Sequence, residues 1–243
     1  MSWFQSMKDQ FHLNFIAGDK WTWLLEGLGN TLLITFFSLL LGIVIGVVIA
    51  TVRSTFDKNR EVLALHKGVK YYAFYVLDML CRLYLTVIRG TPVVVQLLIM
   101  YFIVLASSNN SLLVAVIAFG INSGAYVAEI VRGGIMSIDN GQFEAGRSMG
   151  FNYVQTMIYI IIPQVFKSIL PTLCNEFIVL FKETSVAGYV GIMDLTKAGE
   201  LIRSRTYSAF MPLIAVALIY LVFVVILTKL VGRLERRLRK NER

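Results

Sequence analysis

The sequence predicts an all-α fold, a polytopic bundle of five membrane-spanning helices, on three observations. Of 243 residues, 57% are hydrophobic and only 16% charged, with a mean hydropathy of +0.70. A soluble domain of this length carries far more charge. Apolar runs recur along the chain, most of them near the roughly twenty residues that a helix needs to cross a hydrocarbon core of about 30 Å. Basic residues gather in alternate connections, the pattern that orients a multi-pass chain.

Taken in order, residues 1–27 come first. Trp3, Phe4, Phe11, Phe15, Trp21 and Trp23 recur there among polar residues, as expected of a segment lying at the lipid interface. A disordered leader is the alternative. No cleavable signal peptide is expected, because the first long apolar run begins only near Thr31. Span one is Thr31–Val52. Its Gly42 and Gly46 form a small-x-x-x-small pair suited to close helix approach, although ordinary tolerance of glycine in lipid helices explains them equally well. A second apolar segment runs from about Thr91 to Ala106, entered through the amphipathic, tyrosine-rich Tyr71–Ile88 and closed by the polar turn Ser107–Asn110. Span three is Leu112–Val131, span four about Met157–Phe181, and span five Phe210–Gly232.

The formal net charge of +8 suggests nucleic acid until its distribution is considered. Arg53, Lys58, Arg60, Lys67 and Lys70 follow span one, Arg132 and Arg147 follow span three, and seven more lie between Lys229 and Arg243. These fourteen fall on one side; Lys8, Lys20, Lys197, Arg203 and Arg205 make five on the other. Basic residues in short connections favour the cytoplasm, so the N-terminus is expected outside and the C-terminal tail inside. No nucleic-acid partner is expected. His12 and His66 stand alone in polar flanks, and Cys81 and Cys174 lie in apolar segments without metal-ligand spacing. The expectation is therefore packing cysteines, exposed histidines and no metal site.

The connection after span three is longer and more patterned than a simple link. Asp139-Asn140-Gly141 reads as a turn and Gln142–Met149 as helix-competent; Gly150 permits a sharp reversal, and Asn152 can cap the helix that becomes span four. Within it, Glu144-Ala145-Gly146-Arg147-Ser148-Met149-Gly150 precedes Ile160-Ile161-Ile162-Pro163 by nine residues. This resembles the EAA loop of the membrane subunits of ATP-binding-cassette (ABC) importers, with Gly146 where that family usually has Ala and Ile162 where Leu is common. Tyr126–Ile135, Arg89-Gly90-Thr91-Pro92, Asn175-Glu176 and Lys182-Glu183-Thr184-Ser185 are similar to permeases of the histidine, glutamine and arginine type. The resemblance covers roughly residues 28–235 and leaves 236–243 as a basic cytoplasmic tail.

That resemblance implies a type I ABC importer permease fold with a cytoplasmic coupling helix, in a prokaryotic inner membrane. The coupling residues it implies are Asp139, Gly141, Glu144, Ala145, Gly146, Gly150 and Pro163, in a 139–152 loop that docks the ATPase. No G-x-x-x-x-G-K-[ST] phosphate loop occurs in the sequence, so ATP and magnesium are expected on separate ATPase subunits, and neither cofactor nor catalytic residue in this chain. A second permease protomer, identical or not, and an extracytoplasmic amino acid binding protein are the further partners implied, besides lipid and the amino acid itself.

Glu176 is the most informative single residue, a carboxylate within the apolar run Ile169–Phe181. Such a group is costly unless it is paired or faces water, and so it marks a candidate site. Pro171 removes a backbone hydrogen bond and is expected to break the helix nearby. The candidate substrate-binding set is Glu176, Asn175, Asn122, Tyr126, Gln96 and Arg89. A structural ion pair of Glu176 with Lys182 or Lys167 is the alternative, as is a snorkelling role for Arg89. Glu129 and Arg132, at i and i+3, read as a local ion pair. An ion-coupled secondary transporter with Glu176 as relay is the competing function, although no internal repeat supports it; a non-transporting scaffold leaves Glu176 unexplained.

Overall fold

The computed structural model describes residues 3–65 and 68–240, and among them all regular structure is helical. His66 and Lys67 lie outside the described residues, as do positions 241–243 of the expected tail. The helices are α1 (Trp3–Phe11), α2 (Trp21–Leu65), α3 (Val69–Gly90), α4 (Val93–Ile99), α5 (Ser111–Met136), α6 (Asn140–Ser148), α7 (Tyr153–Thr156), α8 (Ile162–Glu183), α9 (Leu195–Thr206) and α10 (Phe210–Lys240). π-Helical turns follow α1, α4 and α7, and a 3-10 stretch, Thr184–Val190, follows α8.

Five helical stretches among the described residues are long and apolar enough to cross a membrane: Trp21–Lys58, Tyr71–Gly90, Ser111–Met136, Tyr153–Val190 and Phe210–Leu238. Four of them contain the expected spans. The second differs. Tyr71–Gly90, expected only as an entrance, is the span-length helix, whereas the expected segment Thr91–Ala106 holds only the shorter apolar helix Val93–Val104. The break has a local cause. Pro92 has no N–H to donate and keeps Thr91 extended (φ −122°, ψ 145°), so α3 stops at Gly90 and α4 starts anew with Pro92 as its N-cap residue.

A second correction concerns Pro171. It lies inside α8, and the helix continues through it from Ile162 to Glu183. The single missing amide bond is absorbed within an otherwise hydrogen-bonded helix, as happens in membrane spans. The regular ladder is interrupted earlier, at the π-helical turn Met157–Ile161, directly before Ile162 and Pro163.

The chain divides into two compact units. The first comprises residues 1–38, 92–119 and 177–230. Its apolar core gathers Phe15, Leu24, Leu195, Ala198, Ile202 and Val216. The N-terminal segment is tied into it through buried Asn14, whose Oδ1 accepts from Thr206 Oγ1 at 2.8 Å and whose Nδ2 donates to the Gln10 carbonyl at 2.7 Å. His12 is exposed, and Arg205 lies over the Trp23 ring at 5.0 Å.

The second unit comprises residues 39–91, 120–176 and 231–243. Its main core joins Ala50, Val127, Val131, Ile135, Phe143, Ile161, Val165 and Ile169. A smaller cluster holds Leu85, Ala125 and Ala128. Gly42 and Gly46 are at a close helix contact: a Cβ at Gly46 would lie 2.6 Å from Val127, and one at Gly42 would lie 3.0 Å from Ser123. The close-approach reading of that pair therefore holds, since any side chain would push α2 away from α5. Cys81 and Cys174 are partly buried free thiols.

Candidate functional site

Two sets of residues, all but Gln96 in the second unit, were singled out in the sequence. The first is the connection after α5. Asp139 caps α6, its side chain accepting from the Gly141 amide at 2.6 Å. At the other end Gly150 has φ +84°, the left-handed region that glycine occupies without a Cβ penalty. Its amide bonds the Arg147 carbonyl at 2.9 Å, and the Phe151 amide bonds the Gly146 carbonyl at 3.0 Å. These are the two bonds of a Schellman ending. Two residues on, a capping box starts α7: Asn152 Oδ1 accepts from the Gln155 amide, and Gln155 Oε1 accepts from the Asn152 amide, both at 2.9 Å. The helix is thus closed at both ends by its own sequence.

Helix α6 has an inner and an outer face. Phe143 and Gly146 are buried, Phe143 within the main core of the unit. Gly146 fits where the family usually has Ala because Thr156 is packed against it; a Cβ there would lie 2.7 Å from both Cγ2 and Oγ1 of Thr156. Glu144, Ala145, Arg147, Ser148 and Met149 are exposed. Lys58, from α2, holds the helix from the side: its Nζ donates to Asn140 Oδ1 at 2.8 Å and sits 4.3 Å from the centre of the Phe143 ring. A cleft of about 790 Å³ opens beside them, lined by Asp57, Lys58, Asp139, Glu144 and Arg147 among others. The arrangement is a rigid knob with a charged outer surface.

The second set was chosen around Glu176. It is 9% exposed, and its Oε1 accepts from Ser123 Oγ at 3.0 Å. Ser123 and Asn122 are both buried on α5, while Asn175 is exposed on α8. Tyr126, one turn from Asn122 on α5, carries the Arg89 guanidinium 5.7 Å from its ring centre. Gln96 is half-buried in α4, in the first unit. Ser123 was missed in the sequence, where a serine beside a glycine in an apolar helix gives no signal of its own.

Close by in sequence lies a charge network that local reading found only in part. Glu129 and Arg132 make the expected pair at 3.1 Å. Glu129 also accepts from Arg53 Nη1 at 2.7 Å and stands 3.9 Å from Arg89. Asp78, 3% exposed, accepts from Arg82 at 2.7 Å and lies 3.6 Å from Arg53. Asp57 completes it, 3.4 Å from Arg132 and 3.7 Å from Arg82. The sequence signal was present: Arg53 with Asp57, and Asp78 with Arg82, are i,i+4 opposite charges in apolar surroundings.

The protein family described as the binding-protein-dependent transport system inner membrane component matches residues 42–240. The chain belongs to this family. It is 35% identical over 222 residues to the arginine transport system permease protein ArtQ of Bacillus subtilis, covering 90% of this chain and 94% of that protein. It is 34% identical over 221 residues to the glutamine transport system permease protein GlnP of Escherichia coli, covering 89% and 93%. A solved structure of an amino acid ABC transporter with histidines matches with a TM-score of 0.76 at 37% identity, over 98% of this chain and 99% of that one. An inward facing MetNI methionine ABC transporter matches with a TM-score of 0.73 at 20% identity, which shows the shared fold. The fold is that of a type I ABC importer permease, and the chain is an inner membrane component of a transport system rather than its catalytic subunit. The ion-coupled alternative finds no support in these likenesses.

Proposed function

We propose that this chain is the permease subunit of an ABC importer for polar amino acids, basic ones among the candidates, driven by separate ATPase subunits. The observation that carries the reading is the 139–152 knob. It is capped at both ends, anchored by Phe143 and exposed at Glu144, Ala145 and Arg147, which suits a lever worked by a soluble motor. ATP and magnesium belong to that motor. The names of relatives for arginine and glutamine transport support the substrate class.

In this reading residues 1–27 form the outer segment, 28–235 the permease domain and 236–243 the cytoplasmic tail, with the N-terminus outside. A binding protein delivers substrate from outside, and a second protomer supplies the other wall of the path and the other ATPase dock. Closure of the ATPase pair on ATP draws the two knobs together and alternates access. Asp139, Gly141 and Gly150 shape the knob, Gly146 and Pro163 seat it, and Glu144 with Ala145 faces the motor. Glu176 meets the ammonium group of the amino acid, with Asn175, Asn122 and Tyr126 as further candidates. Arg89 offers a cation to its carboxylate. The buried carboxylate held by Ser123 is the feature that favours a cationic ligand group there.

The test is uptake of labelled polar amino acids into proteoliposomes holding this chain, its neighbouring ATPase and the cognate binding protein. Uptake is expected to need all three and ATP, and Glu176→Gln is expected to lower it roughly ten-fold while leaving assembly intact. Uptake driven by an ion gradient without the ATPase overturns the importer reading. Unchanged kinetics in the variant remove Glu176 from the path.

A further inference from the structure

Beside the network, in the second unit, is a pocket of about 470 Å³ whose lining among the described residues includes Arg53, Arg82, Arg89, Thr86 and Glu129. Three guanidinium groups therefore face one carboxylate. That carboxylate is already shared, because Glu129 serves Arg53 at 2.7 Å, Arg132 at 3.1 Å and Arg89 at 3.9 Å. Across the whole network Arg53, Arg82, Arg89 and Arg132 exceed Asp57, Asp78 and Glu129 by one charge. Arg82 and Arg89 keep 52% and 47% of their side chains exposed. A cation excess in a span-length helix calls for an anion with several acceptor oxygens, and planar guanidinium forks fit a phosphate.

The surroundings specify the rest of the ligand. On α3 next to the pocket, Met79, Leu83 and Val87 are 61%, 57% and 50% exposed. A free phosphate or a nucleotide gains nothing from such a surface, whereas acyl chains gain by covering it. We propose that this pocket holds the phosphate of an anionic phospholipid, with its acyl chains lying along the Met79, Leu83 and Val87 face of α3. Basic pockets between membrane helices recognise lipid headgroups by this combination. The site involves neither the α6 knob nor Glu176, but it draws Arg89 away from the proposed substrate path; lipid binding by the chain alone, without substrate, ATPase or binding protein, is read separately from uptake.

The test titrates the full chain in neutral detergent with phosphatidylglycerol, phosphatidylcholine and inorganic phosphate, counting bound lipid by native mass spectrometry. One phosphatidylglycerol is expected to bind at least ten-fold more tightly than phosphatidylcholine, whose choline already balances its phosphate. Arg82→Gln combined with Arg89→Gln is expected to abolish the preference. Arg89→Lys, which keeps the charge but loses the fork, is expected to retain part of it. Arg205→Gln, outside the pocket, is expected to leave it unchanged. If the double variant does not fold, Arg89→Gln alone carries the test, since it leaves the Arg53–Glu129 bond in place. Equal binding of both lipids, or an undiminished preference in the variants, overturns the proposal. Displacement of the lipid by millimolar inorganic phosphate assigns the pocket to a soluble anion instead and overturns it too.

Discussion

At the scale of residues, charge carries most of the information in this chain, because each charged group in an apolar setting needs a reason. Asp194 gives a measurable one. It caps α9 from a fully buried position, with Oδ1 accepting from the Lys197 amide at 2.8 Å and Oδ2 left without a hydrogen-bond partner among the described residues. Burial, reinforced by nearby Glu200 and opposed by the capping amides, pushes its carboxyl up to about 6 from 3.8. The folded chain therefore holds the proton more tightly than the unfolded chain. Its stability is expected to rise as pH falls from about 6 towards 4, by an amount on the order of 2–3 kcal/mol, and to lose that increment again as pH rises through 6. Thermal unfolding in detergent between pH 4 and 7, compared with Asp194→Asn, reads this directly. The variant keeps a capping oxygen and is expected to lack this acid-side gain; parallel curves for the two proteins refute the assignment. Asp194 was not legible in the sequence, since an aspartate before a polar helix looks like any exposed cap. Glu176 was legible, because it interrupts an apolar run, although its partner Ser123 was not.

At the scale of elements, local signals were read well and non-local ones poorly. The ends of α6 and the start of α7 follow from Asp139, Gly150 and Asn152, each of which acts on amides within five residues. The end of α3 before Pro92 has a local cause of the same kind. What was missed is that the stretch before it, Tyr71–Gly90, is itself long and apolar enough to be a candidate span. Asp78 and Arg82 lower the hydropathy of Tyr71–Gly90 to 1.3, so the stretch read as an entrance only. Their cost is offset by Arg53 and Asp57 from another helix, a pairing that no window of sequence contains. The legible element supports a prediction about coupling. Gly150→Val forces a β-branched residue to φ +84°, at about 1–2 kcal/mol, and frays the end of α6. Glu144→Lys leaves the helix whole and inverts a charge on its outer face. Both variants are expected to reach the membrane at normal levels and to retain the ATPase about ten-fold less well in a pull-down. Normal retention by both dissociates the knob from the motor.

At the scale of the whole molecule, orientation follows from the distribution of charge over connections. Fourteen basic residues lie at or beyond the C-terminal ends of the expected spans Thr31–Val52, Leu112–Val131 and Phe210–Gly232, against five on the opposite side. Each Lys or Arg near an anionic inner leaflet is worth about 1 kcal/mol, so an excess of this size is expected to favour one topology. With five span-length stretches the same distribution predicts an N-terminus outside and a C-terminus inside. The expectation is the same whether Tyr71–Gly90 or Thr91–Ala106 makes the second crossing, because both lie between the same two connections. The polar turn at Asn109 is therefore expected outside, with the 137–152 connection and the tail inside. Single-cysteine variants at Asn109, Ser148 and Glu235, made in a chain with Cys81 and Cys174 replaced by alanine, test this with a thiol reagent that does not cross membranes. On intact cells only the cysteine at position 109 should be labelled, and the other two should label only after the membrane is opened. Labelling of position 148 from outside inverts the chain. It places the 139–152 knob beyond the reach of any cytosolic ATPase, and so removes the proposed coupling along with the topology.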